Sequence, residues 1–425
     1  MNQETIAIHA GYDTKTGVGA MSVPIYSATA FDFGTAQTAA NRFCLAELGP
    51  IYSRLTNPTL DILETRFATL DKGAAAISTS SGQAATFFAL ANLAQVGDNV
   101  IVAKKIYGGS STLITHTMKR FGINARLFDS DNADELESLI DENTRAIFFE
   151  SLSNPQIAIP DIEKITKIAK KHKIVTIADN TVATPVLFEA FKHGVDVTLY
   201  SATKYIGGQG NVMGGMIVSS KELNSLLVNN PRYPHFNEPD ESYHGLVYGT
   251  LAANFDIFTL RIRLSLMRDI GATLSPSSAY GLIQGLETLS IRMQKHCQNA
   301  QKIAEFLNTH PKVKSVNYPG LKNDPFYDKA QRYLKDGLAS GLISFDLSSK
   351  EAATRVINST KIFSIVVNIG DTKSLITHPA STTHSQLSEE ELEKVGVGAG
   401  SIRLSIGIED ANDLIEDLKQ ALGNA

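Results

Sequence analysis

Between residues 74 and 220 the chain alternates short β-rich runs with helical stretches, and this alternation constrains the fold more than any other feature. The runs are "AAAIST", "NVIVA", "NARLFD", "RAIFFES", "KIVTIAD", "VDVTLYS" and "GGMIVSS". Between them lie "GQAATFFALANLAQ", "STLITHTMKRFG", "ADELESLID" and "DIEKITKIAKKH". Strands and helices in this rhythm predict an α/β fold, a mostly parallel sheet with helices on both faces. In such sheets a ligand crevice lies beyond the carboxyl ends of the strands. The search for chemistry therefore starts with the residues that end each run.

The rest of the chain organises around that block. Residues 1–60 are polar and punctuated by Gly and Pro, and read as an arm or as irregular structure. "LDILETRFATLDKG" then has helical spacing and a Gly stop. After the sheet comes "NNPRYPHFNEPDESYHG" (229–245), a long polar and aromatic loop of the kind that often carries function. "GLETLSIRMQKHCQNAQKIAEFLNTHP" is expected to form one long helix. Beyond it "GLISFDL", "IFSIVVNI" and "SIRLSIG" read as strands, with helical "SKEAATRVINS" and "DANDLIEDLKQAL" among them, a smaller α+β unit. The expected division is 1–60, 61–284 and 285–425.

Composition removes several function classes. The 425 residues carry a net charge of −5, so no nucleic-acid or polybasic membrane surface is expected and any anion site is built locally. No apolar run has the length of a membrane span, and the N-terminus lacks the apolar core of a secretory signal. The two cysteines, Cys44 and Cys297, give neither a disulfide framework nor a metal spacing. A reducing cytoplasm is the expected setting, and no metal is expected.

Three strand-end features attract notice. In "STSSGQAA" (78–85) hydroxyls and bare backbone N–H groups open a helix, a local phosphate site, though a plain Ser N-cap reads the same. In "IADNT" Asp179 ends a β-branched run, where it would pair with a cationic ring nitrogen or cap the next helix. In "LYSATKYIGG" Lys204 follows an apolar strand, flanked by Ser201 and Thr203. A nucleophilic lysine needs an amine held partly neutral by its surroundings, whereas an ordinary one snorkels to water. Taken together, a phosphate cup, a carboxylate and a lysine on one sheet edge match what pyridoxal phosphate requires.

Two other patterns are set aside. Ser201-x-x-Lys204, "SDN" (130–132) and "KTG" (15–17) are the three motifs of penicillin-recognising serine enzymes, but their order is reversed and "KTG" falls in the arm. "GVGAG" (396–400) precedes a strand where a dinucleotide fingerprint must follow one, and reads as a turn.

With these residues in view, the chain resembles the trans-sulfuration family of pyridoxal phosphate enzymes, the cystathionine γ-synthase-like group of Cys/Met metabolism. The resemblance runs from "AIHAGY" through "YSRLTNPT", "SSGQAA", "IYGGS", "SLSNP", "ADNT", "SATKYIGG" and "GLETLSIRM" to "HPASTTH" and "IRLSIGIED". "FNEPDESYHG" and "NIGDTKSLITHPASTTH" are similar to the sulfhydrylase branch. It implies the aspartate-aminotransferase-like type I fold, with 61–284 binding the cofactor and the 1–60 arm touching a neighbouring subunit.

The resemblance also assigns roles. Lys204 would form the Schiff base with pyridoxal 5′-phosphate, and Asp179 would pair with its ring nitrogen. Gly82, Gln83, Ser201 and Thr203 would bind the phosphate, and Tyr52 and Arg54 would reach the phosphate of a neighbouring subunit. Tyr107 would stack on the ring and assist at the leaving group. Asn154 and Arg403 would hold the substrate carboxylate, with Asn368 and Tyr52 also at the substrate. Gln209 stands where the family commonly has His, and Asn368 where its lyases more often have Ser.

The implied reaction is γ-replacement on O-acetylhomoserine with sulfide or a small thiol, giving homocysteine or methionine and acetate. Cystathionine γ-synthase and γ-lyase activities stay open, as does a regulatory pyridoxal phosphate-binding protein without turnover. Sulfide, methanethiol and a sulfur-carrier protein are the candidate donors, and acetyl, succinyl and phosphoryl the candidate leaving groups. A homodimer is required if the site is shared, and a tetramer is the usual family assembly.

Overall fold

The computed structural model describes residues 1–16, 18–382, 392 and 397–425. Seven strands form the larger sheet: β1 (Ala75–Thr79), β2 (Asn99–Ala103), β3 (Asn124–Phe128), β4 (Thr144–Glu150), β5 (Val175–Asp179), β6 (Val197–Ser201) and β7 (Gly215–Ser219). Their order is β1-β7-β6-β5-β4-β2-β3, and only β7 runs against its neighbours. All seven expected strands are present. Every residue of β2, β4 and β7 is buried, because helices cover both faces, and such strands read as continuous apolar runs.

Helix boundaries follow local chemistry. Helix Ile162–Lys171 starts where the Asp161 side chain accepts from the Lys164 N–H; it buries Ile162, Ile165 and Ala169 and leaves Lys170 and Lys171 in its last turn. Helix Pro58–Leu70 has Asn57 as its cap and Pro58 at its first position.

A second sheet, in the order β10-β11-β12-β9-β8, is built from β8 (Ser315–Asn317), β9 (Leu342–Asp346), β10 (Ser364–Ile365), β11 (Leu375–Thr377) and β12 (Ser401–Ser405). The apolar core splits in two inside one helix, Leu289–Thr309. Cys297 packs with the first core and Ala300 with the second. No helix of the described residues is long and apolar enough to cross a membrane.

Several expectations need correction. The single long helix is two, Pro276–Glu287 and Leu289–Thr309, joined at Thr288 with φ −113° and ψ 4°. Arg292 explains the break: its guanidinium takes the Gly285 carbonyl (2.6 Å) and the Thr288 hydroxyl (3.1 Å) at the joint. "IFSIVVNI" is a strand only at Ser364–Ile365; beyond it the chain leaves the sheet, with Val366 and Val367 exposed. A β-branched run without a partner strand cannot stay extended in a ladder. β8 and β11, each three residues long, were not expected. "ADELESLID" forms a 3-10 helix, Ala133–Leu139. The first sixty residues are not wholly irregular, since Gln3–His9 and Ala36–Phe43 are helical. "GVGAG" lies in a turn before β12 where it is described; Gly396, Gly17 of "KTG", and Thr383 and His384 of "HPASTTH" lie outside the described residues.

Candidate active site

Parallel strands deliver their last residues to one edge. Glu150 pairs in register with Asp179, and Ser201 and Thr79 both pair with Gly215. Glu150, Asp179, Ser201 and Thr79 therefore end on the same side of the sheet. A cavity of about 220 Å³ lies there. It is lined by Ser81, Gly82, Gln83, Tyr107, Glu150, Asn154, Asp179, Ser201, Thr203, Lys204, Asn368 and Arg403, together with Leu152, Val182, Met213, Val367 and Ile369. Ten residues singled out from the sequence thus meet around one space. Tyr52 and Arg54 do not line it; the Arg54 guanidinium sits 5.0 Å from the Tyr52 ring centre. Gln209 is exposed and does not line it either.

One end is an anion cradle. Helix Gly82–Ala91 begins at Ser81, whose hydroxyl accepts from the Ala84 N–H (3.1 Å). The Ala85 N–H goes to the Ser81 carbonyl, which leaves the first N–H groups, those of Gly82 and Gln83, for a ligand. Position 82 must be glycine: a Cβ there would lie 2.7 Å from Ser201 Cβ. The helix start and the end of β6 are thereby pressed together at Ser201, while the Thr203 hydroxyl, also in the lining, donates to the Gly214 carbonyl (3.2 Å) and accepts the Gly214 N–H (3.1 Å). Gln83 Oε1 is buried without a hydrogen-bond partner among the described residues.

The centre holds Lys204. Burial, and then the Arg403 charge, lower its pKa from 10.5 to about 8. Its Nζ donates to Asn368 Oδ1 at 2.6 Å. The turn that carries it is closed by Gly208 N–H to Lys204 C=O (2.8 Å) and capped by Arg292, which donates to the carbonyls of Tyr205 (2.6 Å) and Ile206 (3.2 Å). The segment bearing Asn368 lies so close that a Cβ on Gly370, whose φ is +72°, would sit 2.5 Å from Tyr205 N.

Asp179 faces the same space. Desolvation raises its pKa, while bonds from Thr181 act the other way. The Thr181 N–H donates to Asp179 Oδ1 (3.0 Å), and the Thr181 hydroxyl accepts from Ser201 N–H (2.8 Å), so one threonine ties the ends of β5 and β6. An anionic Asp179 would be restored by a cationic partner.

The far end comes from the small sheet. Arg403, at the middle of β12, is 3% exposed and has no carboxylate partner among the described ion pairs. Its guanidinium donates to Asn154 Oδ1 (3.2 Å) and the Asn368 carbonyl (3.0 Å), and its Nε is buried without a partner among the described residues. A buried guanidinium held only by neutral oxygens is prepared for an incoming carboxylate. Desolvation holds its pKa at about 10.

Sequence reasoning missed Glu150, Thr181 and Arg292. Glu150 carries the same signal as Asp179, a carboxylate that ends an apolar run. The other two act through hydrogen bonds that no spacing reveals.

Comparison with known proteins places this site in context. The model of the family "Cys/Met metabolism PLP-dependent enzyme" matches residues 4–423. The O-acetyl-L-homoserine sulfhydrylase of Leptospira meyeri is 39% identical, over 99% of this chain and 96% of the relative. The homocysteine synthase of Schizosaccharomyces pombe is 40% identical, over 99% and 97%. Among solved structures, a putative O-acetylhomoserine (thiol)-lyase of Campylobacter jejuni is 56% identical with a TM-score of 0.98, covering 100% of both chains, and contains N′-pyridoxyl-lysine-5′-monophosphate.

Proposed function

This chain belongs to the Cys/Met metabolism PLP-dependent enzymes, and from that premise we propose that it catalyses γ-replacement on O-acetylhomoserine, with sulfide or a small thiol as acceptor. The observation that carries the reading is the cavity's charge plan. Among the described residues of this chain Lys204 and Arg403 are the only cations that line it. One guanidinium serves one amino-acid carboxylate. A second amino acid as acceptor, as in cystathionine formation, would find no further cation of this chain for its carboxylate, since the neighbouring copy's Arg54 is assigned to the phosphate.

The residues fit pyridoxal phosphate. The cradle of Gly82 and Gln83 N–H groups with the Ser201 and Thr203 hydroxyls would hold the phosphate, Asp179 the ring nitrogen, and Tyr107 one ring face. The bound cofactor supplies an electron sink for proton removal next to it. Lys204, with an amine partly neutral near pH 8, would take the proton from the substrate Cα and return it along the chain. Asn368 Oδ1 holds Nζ when the amine is free. Arg403 and Asn154 would fix the substrate carboxylate and so aim Cα at Lys204. Tyr107 would assist as acetate leaves from Cγ.

The same reading assigns Tyr52 and Arg54 to the phosphate of a neighbouring copy, since they stand away from their own cavity. Exposed Met21, Tyr26 and Tyr52 on the N-terminal segment support a paired assembly. A dimer is then the minimum and a tetramer the expected state. Cys44 and Cys297 are both free thiols, in keeping with a reducing cytoplasm. Sulfide is the favoured donor, free or delivered by a sulfur-carrier protein.

The test is product analysis with O-acetylhomoserine and, in turn, sulfide, methanethiol, cysteine and no acceptor. Homocysteine and acetate formed with sulfide, and little product without an acceptor, is the expected result. 2-Oxobutyrate and ammonia without an acceptor would make the protein a lyase. Faster turnover with cysteine than with sulfide would make it a cystathionine γ-synthase.

A further inference from the structure

Among the described residues Glu150 is the one buried carboxylate of the cavity to which the reaction above gives no task. It ends β4, beside Asp179, and is 5% exposed. No lysine, arginine or histidine forms an ion pair with it among the described residues. An unpaired buried carboxylate is costly unless hydrogen bonds compensate. Here they come from two different loops: Oε1 accepts the Tyr107 N–H (2.7 Å) and Oε2 the Asn154 N–H (3.2 Å). Burial, then the charge of Asp179, push its carboxyl well above the ordinary range, while these two bonds favour the ionised form.

The two loops form opposite parts of the site. Tyr107 follows β2 and presents its ring to the cavity; Asn154 follows β4 and accepts from Arg403 through Oδ1. Only a carboxylate offers an acceptor oxygen to each loop at once. Glutamine has one acceptor, and would set its own NH2 against the second N–H.

We propose that Glu150 is a positioning residue that locks the Tyr107 loop to the Asn154 loop, and so holds the aromatic wall and the carboxylate-binding end of the cavity at a set separation. The proposal rests on the γ-replacement reading for its kinetic consequences, though the clamp itself does not.

The test compares wild-type holoenzyme with Glu150→Gln and Glu150→Asp by steady-state kinetics and by hydrogen exchange of segments 104–112 and 151–158. The expected result for Glu150→Gln is a loss in kcat/KM for O-acetylhomoserine of about 10²-fold, as for small misplacements of bound groups. The loss should appear in both kcat and KM for O-acetylhomoserine, because the Tyr107 loop bears on the leaving group and the Asn154 loop on the substrate carboxylate. Both segments should exchange faster together. Glu150→Asp, which keeps both acceptor oxygens but is one methylene short, should lose less than Glu150→Gln and loosen both segments by less. If Glu150→Gln does not fold, Glu150→Asp decides alone: wild-type constants and wild-type exchange overturn the proposal. Unchanged exchange in both segments of a folded Glu150→Gln overturns it too. A wild-type enzyme without turnover would defeat the γ-replacement reading instead, and the exchange data would still judge the clamp.

Discussion

The two walls of the cavity are built in different ways. One is the carboxyl edge of the larger sheet, where Asp179 and Ser201 end strands held in register and Lys204 sits on the turn that follows. The other is the small sheet, which reaches over with Arg403 from mid-strand and Asn368 from a segment that has left its ladder. Strand register places Asp179 and Ser201 on the first wall and Arg403, which pairs with Thr377 and Ser344, on the second; Asn368 lies outside any ladder, and side-chain bonds link it to Lys204 and to Arg403. A register cannot drift by less than a full residue, whereas side-chain bonds can lengthen or move. On the proposed reading the first wall would hold the cofactor and the second the substrate that enters and leaves.

The largest effect should come from the first wall. Lys204→Ala removes the only amine beside the cradle among the described residues, and turnover should fall by about 10⁴-fold, the upper end for a positioned proton carrier, with loss of covalent cofactor attachment by mass spectrometry. Asp179→Asn keeps the shape and removes the charge. It should lower kcat by about 10²–10³-fold and weaken cofactor retention on dialysis. Equal losses from both walls would break the comparison.

Changes to the second wall should leave the cofactor in place. Arg403→Ala should raise KM for O-acetylhomoserine by about 10–100-fold, the size of a lost charged hydrogen bond of ~1.5–3 kcal/mol. It should also move the Lys204 pKa upward from about 8, because the Arg403 charge helps depress it.

The smallest effect is one of pH. On the proposed role of Lys204 its neutral amine would be the form that reacts with the cofactor, so recombination of cofactor-free protein with pyridoxal phosphate should speed up about tenfold per pH unit below about 8 and level off above. The stability sign follows from the same shift. The folded state resists protonation more than the unfolded one, so the penalty is complete below pH about 8 and is relieved as pH rises towards 10.5. A flat recombination profile between pH 6.5 and 8 would remove this part of the account.

The first wall was legible in the sequence and the second much less so. The β-branched runs "KIVTIAD" and "VDVTLYS" announce buried parallel strands whose final residues must face the crevice, and that pattern alone puts Asp179, Ser201 and Lys204 at its rim. Arg403 had no such signal. It lies inside a strand whose burial comes from a second sheet, and only the family resemblance marked it. Asn368 was expected at a strand end, yet its run has no partner strand and bends away to reach Lys204. Arg292 looked like one more residue of a long helix, but its bonds to Gly285 and Thr288 break that helix in two. Long-range side-chain bonds were the common cause of what could not be read.

The central claim is that cofactor and substrate are held by separate walls, and one titration tests it most directly. Visible absorbance of the Arg403→Ala holoenzyme would be followed as O-acetylhomoserine is added without an acceptor. The account predicts a resting cofactor band like that of the wild type and a substrate-induced shift at about 10–100-fold higher concentration. A resting band that is lost or displaced before substrate is added would contradict it, because the second wall would then be holding the cofactor as well.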